Sequence, residues 1–252
     1  MLSFELTGKV AVVTGATGHL GSDLSLALAR AGARLVLIGR SGEALDALAA
    51  RVAAGGSEAR SVTCDLSVVA DAELAAARAW HAYERVDIVV YNAVTGLEGG
   101  ASLVDTPAEV WDATYSLIVR GCVALCSGLA PRMMGQGGGS IVTLGSSTGH
   151  TPTPGFAAYG LAKGGLMLLT KYMAQEWGPG NIRANCIVPG SIAWLGHEEG
   201  MTRLTRKRGI LDRISMGRVG RHDEVVGALL YLASDASSFT SGQVVTVDGG
   251  RF

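Results

Sequence analysis

Short apolar runs alternate with amphipathic stretches along the whole 252-residue chain. The first run, KVAVVT at 9–14, contains four Val or Ala residues in succession and is flanked by glycines. Continuous runs of this kind are typical of strands buried on both faces of a parallel sheet. Six more such runs lie at 34–38, 59–64, 86–91, 140–144, 182–188 and 243–247, and helical spacing is found at 18–31, 43–54, 71–83, 108–134, 155–177 and 223–234. This order predicts a single α/β domain over 1–252, a doubly wound seven-stranded parallel sheet with helices on both faces.

The composition excludes several classes of partner. Charged residues make up 17% of the chain and its net charge is −1, so no nucleic-acid partner is expected. No run approaches the about 18 apolar residues of a membrane span, and the N-terminus does not resemble a signal peptide. The cysteines form no C-x-x-C pair and predict buried thiols in a reducing compartment, without a metal site. We therefore expect a cytoplasmic protein. The four cysteines are Cys64, Cys122, Cys126 and Cys186.

A glycine-rich loop, TGATGHLG at 14–21, joins the first run to the first helix. Glycine lets a pyrophosphate approach the backbone and rest on the free N–H groups at the positive end of the helix. The position of the loop between strand and helix therefore predicts a dinucleotide site. The side chain of His19 points either toward the phosphates or to solvent. The residues predicted to contact the cofactor here are Gly15, Thr17, Gly18, His19, Leu20 and Gly21.

The chain resembles the short-chain dehydrogenase/reductase family over nearly its whole length. The glycine loop is similar to the family's TGxxGxxG variant, and the Y-x-x-x-K motif is present at Tyr159 and Lys163. Ser146 lies thirteen residues before Tyr159, as the family serine does. The resemblance implies a Rossmann-type fold, a small-molecule carbonyl or alcohol substrate, a nicotinamide cofactor, and assembly as a homotetramer or homodimer.

The Tyr159–Lys163 pair has a direct physical logic. Residues four apart share one helix face, and a nearby ammonium lowers the pKa of a tyrosine because it favours phenolate. The tyrosine can then exchange a proton with the substrate oxygen. The resemblance implies that Ser146 hydrogen-bonds that oxygen and that Lys163 holds the nicotinamide ribose. Ser147 is the alternative to Ser146, in poorer register.

The end of the second run predicts NADP(H) rather than NAD(H). An acidic residue there would bind the ribose hydroxyls of NAD, whereas this chain has Arg40 and Ser41. The planar guanidinium of Arg40 can pair with a 2′-phosphate, and Ser41 can add a hydroxyl. The alternative is that Arg40 is an ordinary surface residue. The resemblance adds further cofactor residues: Asp65, Leu66, Asn92, Ala93, Pro189, Gly190 and Ile192.

Several positions depart from the family pattern. Ile118 stands where the family has a catalytic asparagine, and Tyr91 replaces the first asparagine of its N-N-A-G segment. Isoleucine cannot hydrogen-bond, so Ser116, Tyr115 or another water path would have to support the proton relay. Three explanations follow: an active enzyme with a rerouted relay, which we favour, a slow enzyme or one for a bulky substrate, or a regulatory protein that binds cofactor without turnover.

The substrate pocket is expected to be mostly uncharged, which favours a largely apolar, cyclic ketone or alcohol. Trp194, which replaces a family threonine, would supply a flat wall. The segment 191–218 is charged and has a weak helical pattern, as a substrate flap or a plain surface excursion would. Its basic run at 203–208 indicates a solvated helix face, with a phosphate-bearing substrate as the alternative. The predicted pocket residues are Val94, Ser147, Phe156 and Trp194.

Overall fold

The computed structural model describes residues 4–95, 100–193 and 196–251. The strands are β1 (Val10–Thr14), β2 (Arg34–Gly39), β3 (Ala59–Thr63), β4 (Ile88–Tyr91), β5 (Gly139–Leu144), β6 (Ile182–Pro189), β7 (Ile192–Ala193), β8 (Gly220–Arg221) and β9 (Val244–Val247). The α-helices are α1 (His19–Arg30), α2 (Gly42–Ala54), α3 (Val69–His81), α4 (Ala108–Tyr115), α5 (Gly121–Gly135), α6 (Ala157–Trp177), α7 (Glu198–Lys207) and α8 (His222–Ala233).

Seven of these strands form one parallel sheet in the order β3-β2-β1-β4-β5-β6-β9. This confirms the predicted fold class. The strand order reverses between β1 and β4, and open α/β sheets bind their ligands beyond the carboxyl ends of the strands at such a point. All five residues of β1 and all four of β4 are buried, which explains their continuous apolar sequences.

Two apolar cores cover the two faces of the sheet. One contains Leu125 and Leu129 of α5 together with Leu166 of α6, and α3 contributes alanines. The other contains Leu24 and Leu28 of α1, with further leucines from α2 and α8. Burial of these side chains is the main favourable contribution to folding, and it keeps the ends of the strands in register for the site.

The predicted long helix at 108–134 is interrupted. A π-helical turn, Ser116–Arg120, separates α4 from α5. Contrary to the sequence-based expectation, the helical segment Ala108–Gly135 is long and apolar enough to cross a membrane by length and composition. Half of its most apolar window is buried inside the protein, where α5 packs against α3 and α4 against α6. This placement is that of a core helix.

The segment 191–218 is more regular than its sequence pattern indicated. β7 pairs with β8, and helix α7 begins with two glutamates and ends with Arg206 and Lys207. These charges complement the helix dipole, a stabilisation that apolar periodicity does not register. Leu211, Ile214 and Val219 pack with Ala193 in a small separate core. The weak apolar spacing of this segment therefore did not predict α7.

Candidate active site

A cavity of about 650 Å³ lies at the carboxyl ends of the central strands. Its walls come from the loops that follow β1 to β6, which the reversal of strand order leaves open. Most of the residues predicted for the site line this cavity. They are Gly15, Thr17, Gly18, His19, Leu20, Gly21, Arg40, Asp65, Leu66, Asn92, Ala93, Val94, Ser146, Tyr159, Lys163, Pro189, Gly190 and Ile192.

The glycine loop forms a cradle that only glycine permits. Gly15 has φ +58°, and a Cβ there would come within 2.9 Å of the Ala93 Cα. At Gly21, on the first turn of α1, a Cβ would overlap the carbonyl oxygen of Gly15. These residues therefore fit a dinucleotide: the loop and the N-terminus of α1 present backbone to the space where a diphosphate rests.

Asn92 supports the cradle from the end of β4. Its side-chain amide donates to the carbonyl oxygens of Thr14 and Gly15, at 3.3 and 3.1 Å. The Thr14 hydroxyl oxygen in turn accepts from the backbone N–H groups of Asn92 and Ala93, at 3.0 and 3.1 Å. These four bonds tie the end of β1 to the end of β4 and hold the loop open.

The adenine end of the cavity is formed by Arg40, Asp65 and Leu66. The backbone N–H and hydroxyl of Ser67 both donate to one oxygen of Asp65, and they hold the pKa of that carboxyl below its usual value, with a smaller contribution from Arg40. Ser41 has another role than the one predicted. Its hydroxyl oxygen caps α2 by accepting from the Ala44 N–H, and Ser41 is not among the described residues that line the cavity.

The three predicted catalytic residues meet at the opposite end of the cavity. Ser146 follows β5, and its Oγ accepts a hydrogen bond from the Thr148 hydroxyl at 2.9 Å. Tyr159 lies in the first turn of α6, and Lys163 lies one turn further along. The Lys163 ammonium is 5.8 Å from the centre of the Tyr159 ring and donates to the Leu144 carbonyl oxygen at 2.5 Å.

Burial sets the pKa values of this pair. It lowers the pKa of Lys163 from 10.5 to about 8, with weak opposition from the nearby thiols of Cys186 and Cys122. It raises the pKa of Tyr159, against which the Ser146 hydroxyl acts. The expected lowering of the tyrosine pKa by Lys163 is therefore not found: desolvation raises the pKa of Tyr159, and the Lys163 ammonium donates to the Leu144 carbonyl oxygen.

The π turn connects two of the departures from the family pattern. The Gly121 N–H donates to the Ser116 carbonyl oxygen, one residue further back than in an α-helix. The Leu117 carbonyl oxygen therefore lacks the hydrogen bond that Gly121 would donate to it in an α-helix. The hydroxyl of buried Tyr91 donates to that oxygen at 2.5 Å. Burial also raises the pKa of Tyr91, so it stays a neutral donor. Ile118 is fully buried in the core beside this bond.

The remaining predicted residues lie in different places. Ser147 is buried and does not line the cavity; its hydroxyl oxygen accepts from Arg251 at 2.9 Å, so it does not serve as an alternative to Ser146. Phe156 packs edge-on against Tyr159, with ring centres 6.5 Å apart, and the guanidinium of Arg208 lies 5.6 Å from the Phe156 ring centre. Trp194 lies outside the described residues. Within the described ranges, no group of three or more His, Cys, Asp or Glu is arranged to hold a metal.

Sequence reasoning missed three polar residues that line the cavity, Ser67, Thr95 and His222. His222 is the first residue of α8, and its ring lines the cavity beside the glycine loop. Its Nδ1 contacts a carboxylate oxygen of Asp23 on α1. The two residues are 199 positions apart, so no local pattern could have joined them.

Comparisons with known proteins agree with this geometry. The family model described as Enoyl-(Acyl carrier protein) reductase matches residues 15–251. Dehydrogenase/reductase SDR family member 4 of Homo sapiens is 31% identical, over 97% of this chain and 88% of that protein. A structure of 7α-hydroxysteroid dehydrogenase with NADH and 7-oxo glycochenodeoxycholic acid has a TM-score of 0.89 at 29% identity, covering 98% of this chain and 96% of that one. L-sorbose reductase from Gluconobacter frateurii, with NADPH and L-sorbose, has a TM-score of 0.90 at 27% identity, covering 98% of both chains.

The fold and site thus define an oxidoreductase that uses a nicotinamide cofactor on alcohol or ketone substrates. The chain belongs to the short-chain dehydrogenase/reductase family.

The buried Lys163 should give stability a specific pH dependence. The unfolded chain keeps this proton up to its ordinary pKa of 10.5, whereas the folded protein loses it near pH 8. Between these values the unfolded state binds one more proton, so the free energy of unfolding gains up to about 1.4 kcal/mol per pH unit. Lys163→Met should lack this gain. The free energy of unfolding of the wild type, minus that of the variant, should therefore increase between pH 8 and 10. Urea denaturation at several pH values measures it.

The matched control is Lys171→Met, an exposed lysine on the same helix. It should keep the pH profile of the wild type. Parallel profiles for the wild type and Lys163→Met would show that the buried amine does not carry the shifted pKa.

Removal of the Tyr91 hydroxyl should destabilise the π turn. Tyr91→Phe leaves the Leu117 carbonyl oxygen without its donor, and a buried unsatisfied acceptor costs about 1–3 kcal/mol. Tyr115→Phe, which alters an exposed tyrosine at the end of α4, should change the free energy of unfolding by less than about 0.5 kcal/mol. Equal effects of the two variants in urea denaturation would contradict the role of the bond.

Proposed function

We propose that the protein is an NADP(H)-dependent carbonyl reductase or alcohol dehydrogenase for a largely apolar, cyclic ketone or alcohol, with Tyr159 as acid and base. The observation that carries the proposal is the presence of Ser146, Tyr159 and Lys163 in the same cavity as the glycine loop. The cofactor cradle and the proton donor then serve one carbonyl group, whose carbon receives the hydride and whose oxygen receives the proton. When bound, the nicotinamide supplies or accepts the hydride.

Each of the three side chains has a separate task. The Tyr159 hydroxyl gives its proton to the substrate oxygen in reduction, and takes one from the alcohol in oxidation. Ser146, held by Thr148, hydrogen-bonds the same oxygen and orients it. Lys163, with a pKa of about 8, changes its protonation state near neutral pH and can return a proton to Tyr159. The raised pKa of Tyr159 keeps its hydroxyl protonated near neutral pH, which is the form that reduction requires.

A second function, cofactor binding without turnover, is favoured by one observation. Ile118 is fully buried and offers no side-chain polar group where the family has its asparagine. Against it, Ala113 and Leu117 of the same helical segment line the same cavity as Lys163, so the segment still borders the site. A panel of ketones and aldehydes monitored by NADPH absorbance separates the two functions, since the second predicts no turnover with any of them.

Removal of the acid should stop the reaction without loss of the cofactor. Tyr159→Phe keeps the ring that packs on Phe156 but lacks the proton, so carbonyl reduction should fall by about 100-fold or more. Fluorescence titration should show NADPH affinity within about threefold of the wild type, since hydride and proton donors are separate groups. Tyr172→Phe, an exposed position on the same helix, should retain full activity. Undiminished turnover in Tyr159→Phe would refute the mechanism.

The preference for NADP(H) rests on Arg40. Its side chain is exposed at the edge of the cavity, at the carboxyl end of β2, where the adenosine ribose of a dinucleotide lies. Among the similar structures, one is complexed with NADH and another with NADPH. The support for NADP(H) over NAD(H) therefore comes from this chain's own residues. The end of β2 carries this guanidinium in the place of an acidic residue, and a guanidinium there favours the 2′-phosphate.

Neutralising Arg40 should weaken one cofactor selectively. Arg40→Gln should raise the Kd of NADPH by about 10- to 100-fold, because a charged hydrogen bond is lost, and should leave that of NADH within about twofold. Arg30→Gln, an exposed arginine at the far end of α1, serves as the control. Tighter binding of NADH than of NADPH by the wild type would overturn the assignment.

The apolar substrate is supported by the side chains at the catalytic end. Val94, Leu117 and Ile192 line the cavity, and Phe156 packs against the Tyr159 ring. The similar 7α-hydroxysteroid dehydrogenase holds a fused-ring ketone, while the similar L-sorbose reductase holds a sugar. The lining of this cavity favours the first kind of molecule, and cyclic ketones are the compounds to test first.

We also propose a homo-oligomer, in the cytoplasm, assembled through the outward faces of α4 and α6. Leu161 and Leu168 lie seven residues apart on one side of α6 and are 67% and 56% exposed, and Val110 of α4 is also exposed. Exposed apolar stripes of this kind are typical of subunit interfaces. The four cysteines are buried free thiols, which fits a reducing compartment.

A charge on this stripe should dissociate the oligomer. Leu168→Glu places a carboxylate in the proposed interface, so light scattering after size exclusion should show a smaller assembly than the wild type. Leu74→Glu, at an equally exposed leucine on α3, should keep the wild-type mass. A wild type that runs as a monomer would refute the proposed assembly.

A further inference from the structure

His222 has no role in the chemistry described above, yet its ring is buried in the wall of the cofactor cavity. Its side chain is only 10% exposed and packs between the start of α8 and helix α1. The neighbouring wall is Ile192 of β7, whose strand partner is Gly220 of β8, two residues before His222. A histidine in such a position is oriented by the fold rather than by solvent.

Asp23 determines which nitrogen of the ring is available. The Nδ1 of His222 contacts the Asp23 carboxylate, so Nδ1 carries a hydrogen and the Nε2 is left for another partner. A ring protonated on both nitrogens can donate from Nδ1 to Asp23 and from Nε2 to a second acceptor at the same time. The Asp23 side chain is 44% exposed on its other side. Asp23 therefore fixes the ring through Nδ1, and in the doubly protonated form the Nε2–H is left to donate to a ligand.

The distance along α1 places this donor near one part of the cofactor. Asp23 lies four residues after the start of α1, which corresponds to about 6 Å of helix rise. The N-terminus of this helix is where the diphosphate of a dinucleotide rests. The ring that contacts Asp23 and lines the cavity thus lies about one helical turn from the diphosphate position.

The charges of the cavity wall support the same placement. Among the described residues that line the cavity, Arg40 lies at the adenine end and Lys163 at the catalytic end. Between them, the side chains able to carry a positive charge are two histidines, His19 on the glycine loop and His222. The negatively charged diphosphate lies in this middle stretch.

We propose that His222, positioned by Asp23, is a cofactor-binding residue that donates a hydrogen bond from Nε2 to the diphosphate. Within the proposed function it is the cationic contact for the middle of the cofactor. It rests on the dinucleotide site alone, and it holds whether or not Arg40 selects a 2′-phosphate.

Fragments of the cofactor test the proposal by calorimetry. ADP-ribose and 2′-phospho-ADP-ribose both contain the diphosphate, whereas 2′-AMP lacks it. His222→Asn should raise the Kd of both diphosphate ligands by the same factor, about tenfold, and change that of 2′-AMP by less than about twofold. Asp23→Asn should produce a smaller rise with the same selectivity, because the ring remains but loses its anchor.

His81→Asn is the matched control, since His81 also pairs its Nδ1 with an acid, Glu84 at 3.0 Å, on the exposed surface of α3. It should leave all three affinities unchanged. Unchanged affinity for ADP-ribose in folded His222→Asn, or an equal loss for 2′-AMP, overturns the proposal. If His222→Asn does not fold, the selectivity of Asp23→Asn decides in the same way. Failure of the NADP(H) preference would appear separately, as equal wild-type affinity for the two ADP-riboses.

Discussion

The site depends on the hydrogen bonds that tie the end of β1 to the end of β4. The strand order reverses at these two strands, so the chain leaves them toward opposite halves of the sheet. The Thr14 hydroxyl and the Asn92 amide hold the ends of the two strands and the loop residues that follow them together. Gly15 and Gly21 can then approach Ala93 and each other more closely than any residue with a Cβ. These four bonds hold the glycine loop in the shape that presents backbone to a bound anion.

The catalytic end is built on the opposite principle, the burial of a charge. Lys163 lies in the apolar core with one carbonyl partner, and burial brings its pKa to about 8. Burial of this amine lowers the free energy of unfolding, and the packing of the rest of the fold offsets the loss. The result is a group that exchanges protons near neutral pH. The adjacent π turn, held by Tyr91, gives this core its local shape without the family's asparagine.

The similar proteins show how little the fold says about substrate. Chains with nearly the same backbone as this one hold 7-oxo glycochenodeoxycholic acid in one structure and L-sorbose in another. In such folds function is carried by side chains on loops over a rigid frame, so the backbone alone does not determine the substrate.

The sequence by itself determined the sheet, the helices around it, the cofactor loop and the Ser146–Tyr159–Lys163 set. These are encoded by local periodicity, by glycines at a strand–helix junction and by a four-residue spacing. The tertiary structure decided the rest. It assigned Ser41 to a helix cap, bonded Ser147 to Arg251, joined Tyr91 to Leu117 and brought His222 to Asp23. It also buried Tyr159, so that desolvation raises the pKa that Lys163 was expected to lower. Such features depend on burial and on contacts between distant segments, which no local pattern contains.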